Sequence, residues 1–147
     1  MRFSALISGL VVCLGSAMAP SLARAATSIN VTLQDPTDPG VDGMKMTATP
    51  DKVKAGPVVI HAVNQSKGGM HEVVVLGGGA TPDHLPYDPV KGQVIESQTT
   101  DLGEVSDLGP GKSGTLDLTL KPGTYLLICN QPGHFRAGMW TRLIVTP

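Results

Sequence analysis

The sequence predicts an all-β protein, folded as an antiparallel Greek-key β-sandwich of roughly seven to eight strands. Short segments of alternating polar and apolar residues recur along the chain, and β-branched residues dominate several others. Turns rich in proline and glycine separate these segments, in a chain of 147 residues with 18 glycines and 12 prolines. No segment of the sequence shows a convincing helical period. These patterns favour the packing of sheet on sheet.

Seven segments carry the strand signal, and turn-forming residues bound them. In chain order they are residues 27–33, 44–49, 58–63, 71–76, 115–120, 124–129 and 140–146. Residues 27–33 and 115–120 alternate in polarity, which is typical of strands with one buried face. Residues 58–63 form a β-branched run that is typical of a core strand.

The middle of the chain, residues 77–112, is rich in glycine, proline and aspartate and carries only weak patterns. Weak strand signals lie at residues 93–97 and 102–105. The prolines within residues 81–90 allow one short helical turn at most. A segment this long without strong patterns is usually functional or contains short structural elements.

The N-terminus predicts an export signal. A short basic start precedes an apolar run at residues 3–14, and residues 23–25 (ARA) form an A-x-A cleavage pattern. We therefore expect a signal peptide at residues 1–25 and a single domain at residues 26–147. A membrane anchor is the alternative, although the run is shorter than the roughly 20 residues that span a bilayer.

Charge argues against a nucleic-acid partner. Without Arg2 and Arg24, nine basic side chains remain against twelve acidic ones, a net charge of about −3. The lysines and arginines are scattered singly, so no basic patch is predicted. No Ser/His/Asp arrangement or pair of carboxylates indicates a hydrolytic enzyme.

The most informative segment is residues 129–140 (CNQPGHFRAGMW), which contains Cys129, His134 and Met139. Cys129 is the only cysteine of the predicted exported chain, so it forms an intermolecular disulfide, is a buried inert thiol, or binds a ligand. Its neighbours favour the last hypothesis. Thiolate and thioether are soft metal ligands, and imidazole suits copper and zinc. Structural zinc sites generally use Cys and His without a thioether, so Met139 favours copper.

A blue-copper centre needs a second histidine, and three are available. His71 begins a β-branched strand, from which a ligand can reach the loops at one end of the sandwich. His61 lies in the middle of a strand and is expected in the core or on the surface. His84 lies in the variable middle segment and is expected to be solvated.

His71 together with the later pattern P-G-T-Y-x3-C-x4-H-x4-M resembles the cupredoxins, the small blue-copper proteins, and its spacing is similar to the rusticyanin and sulfocyanin branches. The resemblance implies one type 1 copper ion, with His71, Cys129 and His134 as strong ligands and Met139 as the axial ligand. It also implies a structural tyrosine corner at Tyr125.

The same resemblance implies how the centre is surrounded. Many members carry Asn or Ser after the first ligand histidine, where this chain has Glu72. His134 is expected to reach the surface, within an apolar docking patch formed by Pro132, Phe135 and Ala137.

The resulting functional hypothesis is a periplasmic one-electron carrier that is not an enzyme. Its expected partners are periplasmic cytochromes or other copper proteins, and it is expected to be a monomer without stable membrane insertion. The alternative is a periplasmic copper-binding or copper-tolerance protein, for which Met44, Met46 and Met70 could supply extra thioethers.

Overall fold

The computed structural model describes residues 25–147, and the predicted signal peptide lies outside them except for its last residue. The strands in chain order are β1 (Thr27–Gln34), β2 (Lys45–Thr49), β3 (Lys52–Lys54), β4 (Gly56–Asn64), β5 (His71–Leu76), β6 (Tyr87–Asp88), β7 (Gln93–Val94), β8 (Asp101–Leu108), β9 (Ser113–Leu120), β10 (Gly123–Ile128) and β11 (Trp140–Thr146). Short 3₁₀ turns occupy Pro82–His84 and Glu96–Gln98. No helix in residues 25–147 is long and apolar enough to cross a membrane.

Two sheets form the predicted sandwich. One has four strands in the order β2-β1-β4-β9, and the other has five in the order β3-β11-β10-β5-β8. The pairs β1–β4 and β3–β11 are parallel, whereas the other neighbours are antiparallel. A parallel pair requires a crossover connection. Here the chain leaves β1, forms β2 and β3, and returns to β4 in the same direction as β1.

The inner faces of the two sheets enclose the main core. Strand β1 shows how the sequence produces it, since Ile29, Val31 and Leu33 point inward and are fully buried while their neighbours are polar. Fully burying one such side chain stabilises the fold by roughly 1.5–3 kcal/mol. Opposite them, Val73 of β5 and Leu127 of β10 belong to the same core cluster.

A second apolar cluster lies on the outer face of the five-stranded sheet. It joins the outward-facing residues of β5 and β10 to Val94 and to a residue of the 129–139 loop; its buried members are Val74, Leu76, Val94, Leu126, Ile128 and Phe135. Residues 77–100, termed here the covering segment, supply Val94 together with partly buried Leu85 and Tyr87. The poorly patterned middle of the chain therefore buries this face of the sheet.

The weak sequence signals in this region were partly right. At most one short helical turn was allowed within residues 81–90, and one is found at Pro82–His84. The strand expected at residues 93–97 is only two residues long and is followed by a 3₁₀ turn. The strand expected at residues 102–105 is the centre of the longer β8, because pairing with β5 extends it in both directions.

The predicted tyrosine corner is present at Tyr125, near the start of β10. Its hydroxyl donates a hydrogen bond to the Lys121 carbonyl at 2.8 Å, and the Lys121 N–H donates to the hydroxyl oxygen at 3.1 Å. These bonds fix the turn between β9 and β10.

Candidate metal centre

Antiparallel pairing of β5 and β10 brings two of the predicted ligands together. Ile128 pairs with Val74, so β5 begins at the same end of the sheet at which β10 ends. His71 is the first residue of β5, and Cys129 directly follows β10. Both side chains are fully buried. The sheet thus places an imidazole and a thiol at one end of the sandwich.

The donor atoms of His71, Cys129 and His134 converge. The Cys129 sulfur lies 3.4 Å from His134 Nδ1 and 3.9 Å from His71 Nδ1, and the two Nδ1 atoms are 3.2 Å apart. These distances define a point about 2 Å from all three atoms. This distance of about 2 Å is close to the zinc–nitrogen and zinc–sulfur bond lengths of about 2.0–2.3 Å, so it suits a metal ion of similar size. The donor set therefore fits one transition-metal ion.

Met139 is held between the other members of the loop. Its backbone N–H donates to the His134 carbonyl at 3.0 Å, and its own carbonyl accepts a hydrogen bond from the Cys129 N–H at 2.9 Å. The Met139 side chain is fully buried and belongs to the same core cluster as Cys129. These two hydrogen bonds join the ends of the loop at residues 129 and 139 and tie Met139 to His134.

The covering segment anchors this loop. The buried Asn130 side chain accepts a hydrogen bond from the Val94 N–H at 2.6 Å and donates to the Val94 carbonyl at 3.0 Å. The Gly133 N–H donates to the Gly92 carbonyl at 2.8 Å. Gly92 has a φ of +72°, and a Cβ there would lie 3.1 Å from the Gly133 nitrogen, so glycine permits both the turn and the close approach. Sequence patterns gave no signal for Asn130, because its partners are distant along the chain.

Burial raises the pKa of the Cys129 thiol to about 11, although backbone N–H groups of Gln131 and Glu72 hydrogen-bond to the sulfur and oppose this effect. The thiol is therefore protonated at neutral pH, and binding of a metal must displace its proton. Glu72, the residue after His71, thus donates a backbone hydrogen bond to the sulfur.

The Glu72 side chain is itself nearly buried, at 8% exposure, and accepts a hydrogen bond from the Gln131 amide at 3.3 Å. Burial raises its pKa, and the nearby Glu104 carboxylate adds to the effect. The side chain of Glu72 therefore contacts Gln131, while its backbone N–H is directed to the sulfur.

Burial favours the neutral form of both imidazoles, His71 and His134. Burial lowers the pKa of His71, and a positive charge on the adjacent His134 would lower it further. Burial also lowers the pKa of His134. Neutral imidazole is the ligand form, because one ring nitrogen must offer its lone pair.

A buried carboxylate in the turn after β1 lies beside His71. Asp35 is 4% exposed, and its Oδ2 lies 3.4 Å from His71 Nε2. Burial opposes its ionisation, but hydrogen bonds from Thr37 and the nearby His71 lower the pKa of Asp35 overall. Aspartate is so common in turns that residue 35 carried no sequence signal for a place beside the metal centre.

The remaining histidines lie elsewhere, as expected. His61 is half-buried in an open groove on the four-stranded sheet. His84 is exposed, with Nδ1 3.0 Å from the Thr81 hydroxyl. Neither belongs to the His71–Cys129–His134 cluster.

The prediction that Phe135 lies in an exposed apolar patch is wrong. Phe135 is 3% exposed and packs in the outer cluster, with its ring centroid 6.2 Å from that of Tyr87. Phe135 therefore points inward, although its neighbour His134 is partly exposed and its neighbour Arg136 is exposed. Pro132 and Ala137 are exposed, and His134 is partly exposed between them.

A two-sheet sandwich with a His–Cys–His donor cluster at one end defines the class of the cupredoxins, whose cofactor is one copper ion. Residues 52–147 match the Sulfocyanin (SoxE) domain. The chain belongs to this sulfocyanin family of cupredoxins, which confirms the resemblance found in the sequence.

Individual relatives agree with this assignment. The chain is 33% identical over 115 residues to Auracyanin-B of Chloroflexus aurantiacus, an alignment that covers 72% of this chain and 49% of the relative. The chain therefore spans about half the length of that curated relative.

Solved structures show the same fold. A dithionite-reduced auracyanin from Roseiflexus castenholzii superposes with a TM-score of 0.60 at 20% identity, covering 84% of this chain and all of that chain. A rusticyanin variant gives a TM-score of 0.60 at 18% identity, covering 87% of this chain and 85% of the other.

Proposed function

We propose that the protein is an exported one-electron carrier in which His71, Cys129, His134 and Met139 bind one type 1 copper ion. The observation that carries this proposal is the convergence of two Nδ1 atoms and one sulfur to within 4.8 Å of one another. Met139 is the axial ligand in this proposal, supported by its buried side chain and by its backbone bonds to His134 and Cys129.

A copper ion held by these residues would supply one-electron chemistry between Cu(II) and Cu(I). The protein's part is to offer donors that suit both oxidation states, which a thiolate, two imidazoles and a thioether do. His71 and Cys129 are fixed by buried strand ends, and hydrogen bonds to the covering segment brace the loop that carries His134. Little then has to move when an electron is transferred. The partly exposed edge of His134 is the proposed route for the electron.

A single mononuclear cluster in the described residues supports a carrier rather than an enzyme. We propose that residues 1–25 are a signal peptide and that residues 26–147 act as a monomeric periplasmic domain, with cytochromes or other copper proteins as partners. Mass spectrometry of the mature protein tests this setting. An N-terminus at Ala26 is expected, and an uncleaved chain would contradict the proposed export.

The visible spectrum of the Cu(II) protein tests the site. A strong thiolate-to-copper band is expected, and Cys129→Ser should abolish it. Met139→Gln should retain copper but shift the reduction potential, because the axial ligand tunes it. Met70→Gln is the matched control, since Met70 is adjacent to His71 but 48% exposed. A colourless copper-loaded protein, or an equal shift in both methionine variants, would contradict the ligand assignment.

Stopped-flow mixing with reduced and oxidised cytochromes tests the carrier role. Fast electron exchange in both directions is expected. The alternative of copper handling predicts slow exchange with copper sensitivity in a deletion strain. It receives less support from the structure, because Met46 is buried in the core and Met44 packs against that core.

A further inference from the structure

The two nitrogens of the His71 ring face different surroundings. Nδ1 points to the Cys129 sulfur and to His134 Nδ1, at 3.9 and 3.2 Å. Nε2 lies on the other side of the ring, is fully buried, and makes no hydrogen bond of good geometry with the residues in the described part of the chain. A buried imidazole nitrogen without a partner would cost roughly 1–3 kcal/mol.

The polar atom beside this nitrogen is Oδ2 of Asp35, at 3.4 Å. A closing movement of about half an ångström would bring this pair into the 2.7–3.2 Å range of N–H···O hydrogen bonds. A neutral imidazole has one N–H and one lone pair. If the lone pair of Nδ1 is to face a metal ion, the N–H must be on Nε2, where it points at Asp35.

The Asp35 carboxylate is fixed by its own hydrogen bonds. Its Oδ1 accepts hydrogen bonds from the Thr37 N–H at 2.9 Å and from the Thr37 hydroxyl. The Asp35 N–H donates to Oδ2 of Asp38 at 3.2 Å. Because Oδ1 is held by two donors, Oδ2 is left to face His71.

Gly69 encloses the contact from the side. A Cβ at this position would lie 2.8 Å from Asp35 Oδ2 and 3.1 Å from His71 Nε2, so a larger residue would push the pair apart. The Asn64 amide donates to the Gly69 carbonyl at 2.8 Å. The glycine is thereby held in place beside the carboxylate.

We propose that Asp35 is a positioning residue of the metal centre, whose carboxylate accepts the Nε2–H of His71, orients the ring and keeps the Nδ1 lone pair directed at the metal position. This inference rests on the proposed copper site. Hydrogen-bonding partners of metal-bound histidines typically change metal affinity by 10–100-fold. The negative charge of Asp35 also favours Cu(II) over Cu(I), so its removal raises the reduction potential.

Asp35→Asn is the most discriminating variant, because the two Thr37 donors fix the orientation of the amide. Its oxygen will face the two Thr37 donors, which places the amide NH2 opposite His71 Nε2. Two donors cannot share a hydrogen bond, so this variant favours the Nδ1–H tautomer, which cannot bind metal through Nδ1. Asp38→Asn is the matched control, since Asp38 is a nearly buried carboxylate of the same turn that bonds to the Asp35 backbone.

Imidazole ¹⁵N NMR of the copper-free protein reads the tautomer directly. The wild type and Asp38→Asn should show Nε2–H on His71, whereas Asp35→Asn should shift to Nδ1–H. A dominant Nδ1–H tautomer in the wild type would overturn the proposal without any variant. This readout requires no copper, so it fails or succeeds separately from the proposed function.

Cu(II) titration and potentiometry supply the second readout, on variants whose thermal unfolding shows that they are folded. Asp35→Asn should weaken Cu(II) binding about tenfold. The cost of changing the tautomer falls on Cu(I) and Cu(II) binding alike, whereas the lost negative charge weakens Cu(II) binding in particular. Each tenfold difference between the two losses of affinity raises the reduction potential by about 59 mV. Asp38→Asn should shift both quantities by less. Equal effects of the two variants would reduce Asp35 to a general charge effect and overturn its positioning role.

Discussion

The two sheets of the sandwich differ in how their outer faces are covered. On the four-stranded sheet, exposure alternates along β9, and the outward-facing Val63 of β4 is 36% exposed. On the five-stranded sheet, all six residues of β5 and the last four of β10 are buried. The covering segment causes this difference, because it packs on the outer face of those two strands.

This asymmetry coincides with the position of the metal centre. His71 begins β5 and Cys129 follows β10, so two donors extend from strands that are packed on both faces. Segments with many buried apolar contacts open least often, and a site built on them keeps its geometry. The four-stranded sheet contributes Asp35 from the end of β1, which supports His71 from behind. One sheet thus carries two of the proposed ligands, and the other carries the proposed positioning residue.

Phe135→Ala should have the largest effect on this arrangement. Phe135 is 3% exposed and lies between the covering segment and β10. Removing a buried phenylalanine side chain typically costs about 3–5 kcal/mol. Chemical denaturation of the copper-free protein measures the loss.

Phe135→Leu is the control for this prediction, because it retains most of the apolar volume and should cost less. A loss below about 1 kcal/mol in Phe135→Ala would mean that the outer cluster does not hold the ligand loop.

A matched pair of valines tests the contrast between the sheets directly. Val74 faces outward from β5 and is fully buried, whereas Val63 faces outward from β4 and is 36% exposed. Val74→Ala should lower the free energy of unfolding by about 2 kcal/mol, from lost burial and a residual cavity. Val63→Ala should change it by less than about 0.5 kcal/mol. Similar losses at the two positions would remove the distinction between a covered and an open face.

Local sequence patterns were sufficient for most of the sandwich and for the residues of the proposed donor set. Strands such as β1 and β9 alternate because one face is buried, and that period is visible in the sequence. The donors Cys129, His134 and Met139 lie within one loop, so their spacing alone brought them to attention. His71 required only the further argument that it begins a strand.

What could not be predicted depends on contacts between distant segments. The covering segment lacks periodicity, because its few apolar residues pack individually against an existing sheet. Phe135 was misplaced because loop residues have no regular period to indicate which of them point inward. Asp35 and Gly69 were missed because turn residues are common, and only the folded chain places them beside His71. The crossover that makes two strand pairs parallel is likewise a property of the whole topology.

Tyr125→Phe should have the smallest effect on stability. This variant tests whether the turn before β10 influences the metal centre at the other end of that strand. The Tyr125 hydroxyl bonds to the Lys121 backbone at the start of β10, whereas Cys129 follows the end of this strand. Losing these bonds should cost about 1 kcal/mol, since a hydrogen bond of this kind contributes roughly 0.5–1.5 kcal/mol net. Thermal unfolding measures this loss, and the visible spectrum of the Cu(II) protein should remain unchanged. A shifted copper band would show that the turn before β10 is coupled to the metal centre through the length of the strand, and that the rigidity of the site does not come from local cover alone.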